Sequence, residues 1–280
     1  MEDLARRRAL VEERLETVLD EVDPPALSQS IDHVTFAGGK RVRPTITLLS
    51  CEALGGDPAN AVDFAAGIEL VHTASLVVDD IIDESRVRRG VESAWSKFGT
   101  GPAIIASDGL LGEAFELFSN DPLALSIVAD AMVELGQGEA VELVARPTNE
   151  AEYRELARRK TGALFKAAAE LGALAAGHTG EPLEAMGEYA ERVGIAFQMR
   201  DDVLDATAPD GVLGKPTGQD AQLERPSMLE VTDLTPEEVT DRARAESDAA
   251  LDALGRVDLV DEVAATYLAE LAEFVVERDR

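Results

Sequence analysis

Cysteine is almost missing from this chain. Cys51 is the only one in 280 residues, so no internal disulfide can form. It falls in an apolar stretch, Ile46 to Leu54, and reads as a small buried side chain. Aromatic residues are scarce at 4%. Strand-type alternation is nearly absent too, which argues against a β architecture. No apolar run is long enough to span a bilayer. The first twenty residues are charged and amphipathic and lack the apolar core of a secretory signal, so the expectation is a soluble, cytoplasmic protein. Positive charge is outnumbered: 26 Lys and Arg face 55 Asp and Glu, giving a net charge of -29. That balance excludes nucleic acid as a partner, since phosphate backbones need a basic surface. An anionic membrane surface would be repelled as well. Lysine is the rarest cation, with only Lys40, Lys97, Lys160, Lys166 and Lys215. An acidic, lysine-poor surface is expected of a halophilic protein, whose self-repulsion high salt screens.

Alanine, leucine, glutamate, valine and arginine dominate instead, a composition that favours helices. Apolar periodicity predicts helices at about Glu2–Val22, Arg43–Leu54, Pro58–Asp83, Pro102–Phe118, Pro122–Val144, Asn149–Gly177, Pro182–Asp205, Pro236–Leu254 and Leu259–Glu277. Gly55-Gly56 closes one helix, and Asp57-Pro58 opens the next as N-cap and first-turn proline. Ala206 to Arg225 is rich in Gly, Pro and Asp and reads as a loop. No linker or compositional break divides the chain. The expected fold is all-α, a single-domain helical bundle of residues 1–280 around a deep central cavity.

Two of these helices end in the same pattern. Asp-Asp-x-x-Asp occurs at Asp79, Asp80 and Asp83, and again at Asp201, Asp202 and Asp205. Residues four apart share a helix face, so Asp79 points with Asp83, and Asp201 with Asp205. Opposed carboxylate pairs of this kind suit Mg2+, and Mg2+ suits a diphosphate. Cations accompany both copies. Gly38-Gly39-Lys40-Arg41-Val42-Arg43-Pro44 puts cations at a helix start, where the backbone adds its own positive end; Lys40 and Arg43 can face one anion there. His72 precedes Asp79 by two turns on the same face. Arg88-Arg89-Gly90 follows Asp83, and arginine forks bind phosphate oxygens bidentately. Lys160-Thr161-Gly162 sits inside a helical pattern, where Thr-Gly is locally unfavourable and can bend the helix and free a carbonyl, or simply allow close packing. Gln198 shares a face with Asp201, and Lys215 and Asp220 lie in the following loop, within reach of a phosphate and a metal shell.

In order, GGKRVRP, H-x6-DDIID, RRG, KTG, FQMRDDVLD and GKPTGQD resemble the trans-isoprenyl diphosphate synthases, the polyprenyl synthetase family. The resemblance runs from about Gly38 to Asp220. It implies an all-α fold, usually a homodimer, that joins isopentenyl diphosphate to an allylic prenyl diphosphate. It implies three Mg2+ ions on Asp79, Asp83 and Asp201, with Asp80, Asp202 and Asp205 as direct or water-mediated supports. Arg88, Lys160 and Lys215 would hold the allylic diphosphate. Lys40, Arg43, His72 and Arg89 would hold isopentenyl diphosphate. Thr161 and Gln198 would lie along the developing carbocation.

The chain departs from the family pattern in places. Where a Gly-Lys-x-Thr element often follows GQD, it has Glu224-Arg225-Pro226-Ser227, with Arg225 in place of the lysine charge. After RRG it has Glu92-Ser93 instead of Pro-Thr. Arg278 and Arg280 form a basic end that could close over the site. In the family, product length depends on bulk upstream of the first Asp motif. Ala74 and Ser75 are small, which argues for geranylgeranyl length or longer, with Phe115, Phe118 or Met132 as candidates for a lower floor. A terpene cyclase would normally carry an Asn/Ser/Glu second motif, a squalene- or phytoene-type synthase Asp-x-x-x-Asp, and a non-catalytic partner subunit would have lost Asp or Arg residues.

Overall fold

The computed structural model describes residues 2–207 and 225–277. Lys215, Asp220, Arg278 and Arg280 therefore lie outside the described residues. The helices are α1 (Glu2–Leu19), α2 (Pro25–Thr35), α3 (Val42–Ala53), α4 (Val62–Ile82), α5 (Ala94–Phe98), α6 (Thr100–Phe118), α7 (Pro122–Ala140), α8 (Glu150–Ala157), α9 (Ala163–Ala175), α10 (Glu181–Thr207), α11 (Met228–Val231), α12 (Pro236–Leu254) and α13 (Glu262–Glu277). The all-α expectation holds, with one small exception. Val87–Arg88 and Val91–Glu92 pair as an antiparallel hairpin, β1 and β2.

Local chemistry explains the starts. Asp121 caps α7 by accepting from the Leu123 and Ala124 amides at 2.9 and 3.1 Å, and Pro122 occupies the first turn. Thr235 and Glu238 form a capping box at α12. Pro58 opens a short 3-10 turn capped by Asp57, and α4 proper begins at Val62.

The sequence reading missed α2, α5 and the hairpin. The Pro24-Pro25 pair that starts α2 resembles a loop in sequence. The hairpin strands are too short to show alternation. Their turn is Arg89-Gly90, both at positive φ (54° and 82°), as a two-residue hairpin turn demands. The helix expected over Asn149–Gly177 is interrupted at Arg158–Gly162 by a π turn, in which the Ala163 N–H donates to Arg158 O. A second π turn, Val141–Ala145, extends α7.

α10 lies between α9 and α12, with Val193, Ile195, Ala196 and Met199 buried. Small residues set the spacing. A Cβ on Gly172 of α9 would come within 2.3 Å of Thr47 O on α3. A Cβ on Gly194 of α10 would meet Gly162 Cα at 2.9 Å. That second contact presses α10 directly against the π turn. No helix among the described residues is long and apolar enough to cross a membrane.

Candidate active site

Asp79 and Asp83 end α4 together, as the four-residue spacing requires. Burial pushes the Asp79 carboxyl up, and neighbouring Asp83 adds to this; Lys160, Arg225 and Arg88 oppose it. Asp80 turns away from that face and is buried. Its Oδ1 accepts from Arg88 Nε at 2.8 Å and Arg88 Nη2 at 2.6 Å. Burial raises this carboxyl too, with the Arg88 bonds pulling the other way.

The hairpin turn places Arg89 against the Gly38-Gly39 bend, where Arg89 Nη1 donates to Gly38 O. A Cβ on Gly39 would lie 2.6 Å from that guanidinium, so the glycine makes room for the arginine. Arg43 stacks its guanidinium 4.7 Å from the Phe165 ring centre. Burial lowers its pKa to about 10, partly offset by Glu69. His72 is held well below the ordinary imidazole value by burial and by Arg43, Arg89, Arg88 and Arg41, so it is a neutral ring at pH 7. Lys40 is exposed.

Arg41, the middle cation of the GGKRVR run, has a different duty from its neighbours. It caps α3 in a left-handed conformation (φ 52°) with its side chain buried. Its Nη1 donates to Glu69 Oε1 at 2.7 Å and its Nη2 to Thr35 O at 2.8 Å. It is a structural strut at the start of α3.

The two π turns meet across the site. Lys160, on one, donates to Glu142, on the other, at 2.5 Å, and pairs with Glu139 at 3.2 Å. Burial works against the Lys160 charge, but Glu142 and Glu139 hold its pKa up. Burial raises Glu139 to about 7 against the pull of Lys160, with Asp79 and Glu142 adding to the rise. Arg225 completes the set: its Nη1 donates to Glu142 at 2.9 Å and its Nη2 to Asp83. The cation that replaces the family lysine thus sits on the first Asp motif.

The second motif joins through the same π turn. Thr161 donates to Gln198 Oε1 at 2.8 Å, and Gln198 Nε2 donates to Asp202 Oδ1 at 3.2 Å. Asp202 Oδ2 also accepts from the Tyr153 hydroxyl at 2.5 Å and the Met228 amide at 2.6 Å. Asp201 is half-buried and Asp205 buried on α10.

A continuous chain of contacts therefore links both motifs with Lys160, Thr161, Gln198 and Arg225. Sequence reasoning missed Glu139, Glu142 and Tyr153. Two glutamates inside a helix of an acidic chain look like solvent-facing charges, and only the helix-weakening Gly136 and Gly138 beside them gave a signal. Of the suggested floor residues, Phe115 is exposed, Met132 is half-buried, and Phe118 is buried with its ring in the notch at Gly67.

The acidic residues fit Mg2+ as a shared ligand rather than as a closed cage. Among the described residues, no three Asp, Glu, His or Cys side chains converge tightly enough to bind an ion alone. Mg2+ is commonly held by one or two carboxylates together with substrate phosphates and water. Burial, with the Asp83 charge adding to it, raises the Asp79 carboxyl, and a divalent cation would offset both costs.

This arrangement defines the class. Over residues 24–263 the chain matches polyprenyl synthetase, and it belongs to that family. It is 35% identical over 253 residues to the short chain isoprenyl diphosphate synthase of Methanothermobacter thermautotrophicus, covering 87% of this chain and 78% of that one. Its fold matches geranylgeranyl pyrophosphate synthetase from Pyrococcus horikoshii with a TM-score of 0.88 at 33% identity, over 98% of both chains. It also matches a polyprenyl synthase from Caulobacter crescentus, solved with calcium and isoprenyl diphosphate, with a TM-score of 0.87 at 29% identity over 99% of this chain and 95% of that one.

Proposed function

We propose that this protein is a chain-elongating prenyltransferase, condensing isopentenyl diphosphate with an allylic prenyl diphosphate head to tail in the trans sense and releasing diphosphate. The carrying observation is the run of contacts from Asp83 through Arg225, Glu142 and Lys160 to Thr161, Gln198 and Asp202, which ties both Asp motifs to one set of cations.

The residues divide the work. Asp79, Asp83, Asp201 and Asp205 would hold Mg2+, expected at three ions; Asp80 and Asp202, committed to Arg88 and to Tyr153, Met228 and Gln198, act as supports. Bound magnesium would neutralise the diphosphate as its allylic carbon–oxygen bond breaks. Arg88, Lys160, Arg225 and Lys215 bind the allylic diphosphate and stabilise the charge that develops on it. On substrate entry, Lys160 and Arg225 exchange Glu142 and Asp83 for phosphate oxygens. Lys40, Arg43, Arg89 and the neutral donor His72 hold isopentenyl diphosphate. Thr161 and Gln198 face the allylic cation, and an apolar surround excludes the water that would quench it. The double bond of isopentenyl diphosphate then attacks, and the departing diphosphate takes the proton.

Small Ala74 and Ser75 upstream of Asp79 support a product of geranylgeranyl length or longer. Exposed Ile104, Ile105 and Phe115 on α6, with Leu125 and Val133 on α7, support a homodimer through these helices. The chain is read as one domain of a cytoplasmic, salt-adapted enzyme.

Purified protein with Mg2+, labelled isopentenyl diphosphate and an allylic starter should yield longer prenyl diphosphates. Asp79→Ala and Asp201→Ala should each remove most of the rate while the helical circular dichroism persists. Full turnover in both variants would reject the assignment.

A further inference from the structure

The repeated Asp-Asp-x-x-Asp motif treats its middle residues differently from its ends. Asp202 is 3% exposed and, among the described residues, accepts from the Tyr153 hydroxyl, the Met228 amide and the Gln198 side-chain amide. Such convergence belongs to an acceptor-only carboxylate. Two of the donors come from elements distant in sequence, α8 and α11, and pin the carboxylate in place. The third is the one whose orientation matters.

A carboxamide has a donor end and an acceptor end. Because Asp202 only accepts, Gln198 must turn its Nε2 toward it. Its Oε1 is then fixed at the other end, where it accepts the Thr161 hydroxyl at 2.8 Å. A hydroxyl has one proton. Once that proton is directed at Gln198, the oxygen of Thr161 can offer only lone pairs in other directions. Were the amide reversed, its NH2 would face Thr161, and the threonine would release its proton toward whatever lies beside it.

We propose that Asp202 is a positioning residue that sets the polarity of a relay from Asp202 through Gln198 to Thr161, so that Thr161 presents an oxygen rather than a proton to the allylic cation. This rests on the placement of Thr161 and Gln198 beside that cation. The device is electrostatic preorganisation: a dipole fixed before the charge appears needs no reorganisation when it does. The π turn contributes by holding Thr161 at the relay's end, with Gly162 lodged against Gly194 of α10. The relay gives the middle aspartate of the second motif a use apart from metal binding, and it assigns Tyr153 and the start of α11 to orienting the site.

The test separates recognition of positive charge from recognition of diphosphate. At saturating Mg2+, calorimetry would compare a non-cleavable allylic thiolodiphosphate, which is uncharged at the reacting carbon, with an ammonium analogue of the allylic cation bound together with inorganic diphosphate. The unsubstituted protein should favour the ammonium analogue. Asp202→Asn allows the amide to reverse, and Gln198→Leu releases the threonine proton. Each should lower the preference roughly tenfold, the scale of one hydrogen-bonded dipole, because affinity for the ammonium analogue falls by that much more than affinity for the thiolodiphosphate. Thr161→Ser should keep the preference and Thr161→Val should lose it. An unchanged preference in both Asp202→Asn and Gln198→Leu would overturn the relay. So would equal weakening of both ligands, which would place the contribution of Asp202 at the diphosphate and its metals. If the unsubstituted protein bound neither analogue in a Mg2+-dependent way, the underlying prenyltransferase reading itself would fall.

Discussion

Gly194→Ala tests how the fold positions the chemistry. An added Cβ would sit 2.9 Å from Gly162 Cα, 3.2 Å from Gly162 N and 3.3 Å from Phe165 Cβ. The first two are backbone atoms of the π turn and cannot rotate aside. Overpacking of this kind costs about 1–3 kcal/mol, whereas alanine in place of glycine in a helix returns about 1 kcal/mol. The net loss of stability should therefore be small, about 0–2 kcal/mol. Activity should respond far more. The π turn carries Lys160 and Thr161, and displacing a positioned group by a fraction of an ångström to 1 Å lowers kcat by roughly 10- to 100-fold. Denaturant unfolding followed by circular dichroism gives the first quantity, and steady-state turnover with labelled isopentenyl diphosphate gives the second. Gly136→Ala is the control: nothing lies within 4 Å of its new Cβ, so it should leave turnover unchanged. Gly194→Ala with native turnover would refute the claim that close contact with α10 sets the π turn.

Other consequences follow from single contacts. Arg41→Met leaves Glu69, which is 2% exposed, without its partner, and should cost on the order of 3–5 kcal/mol in urea unfolding. Arg225→Met removes a cation from Asp83 and Glu142 and should raise KM for the allylic diphosphate by roughly tenfold or more, with Arg225→Lys recovering most of it. Burial raises Glu170 from 4.5 to about 7, with Lys166 opposing and Glu191, Asp130 and Glu134 adding to the rise. Its native form holds a proton that the unfolded chain has already released, so stability falls as pH rises from about 4.5 through 7. Glu170→Gln should flatten that fall and gain on the order of 1–3 kcal/mol at pH 8, read by thermal unfolding across pH.

Much of this was legible in sequence because the signals were local. Thr235-Pro236 marks a helix start through backbone donors that need a cap, and it is where expected; Asp57-Pro58 is capped in the same way but opens a 3-10 turn, with α4 beginning four residues later at Val62. The Thr161-Gly162 weakness marked a real irregularity, the π turn. Helical periodicity put Asp79 with Asp83 and Asp201 with Asp205. The same 100° step per residue turns Asp80 and Asp202 away from those faces, but sequence alone could not show that Arg88 and Tyr153 await them there. Partners distant in the chain were the hidden part. Glu142 looks like any surface glutamate until Lys160 and Arg225 are folded onto it. Arg41 is simply one more cation of the GGKRVR run until Glu69 and Thr35 O claim it.

Both acidic motifs should grip divalent ions around one diphosphate. Anomalous diffraction from crystals soaked with Mn2+ and a non-cleavable allylic analogue tests this directly. Mn2+ peaks should lie between the analogue's phosphates and Asp79, Asp83 and Asp201, with Lys160 and Arg225 moved onto phosphate oxygens. Peaks on one motif alone, or an analogue bound away from both, would contradict it.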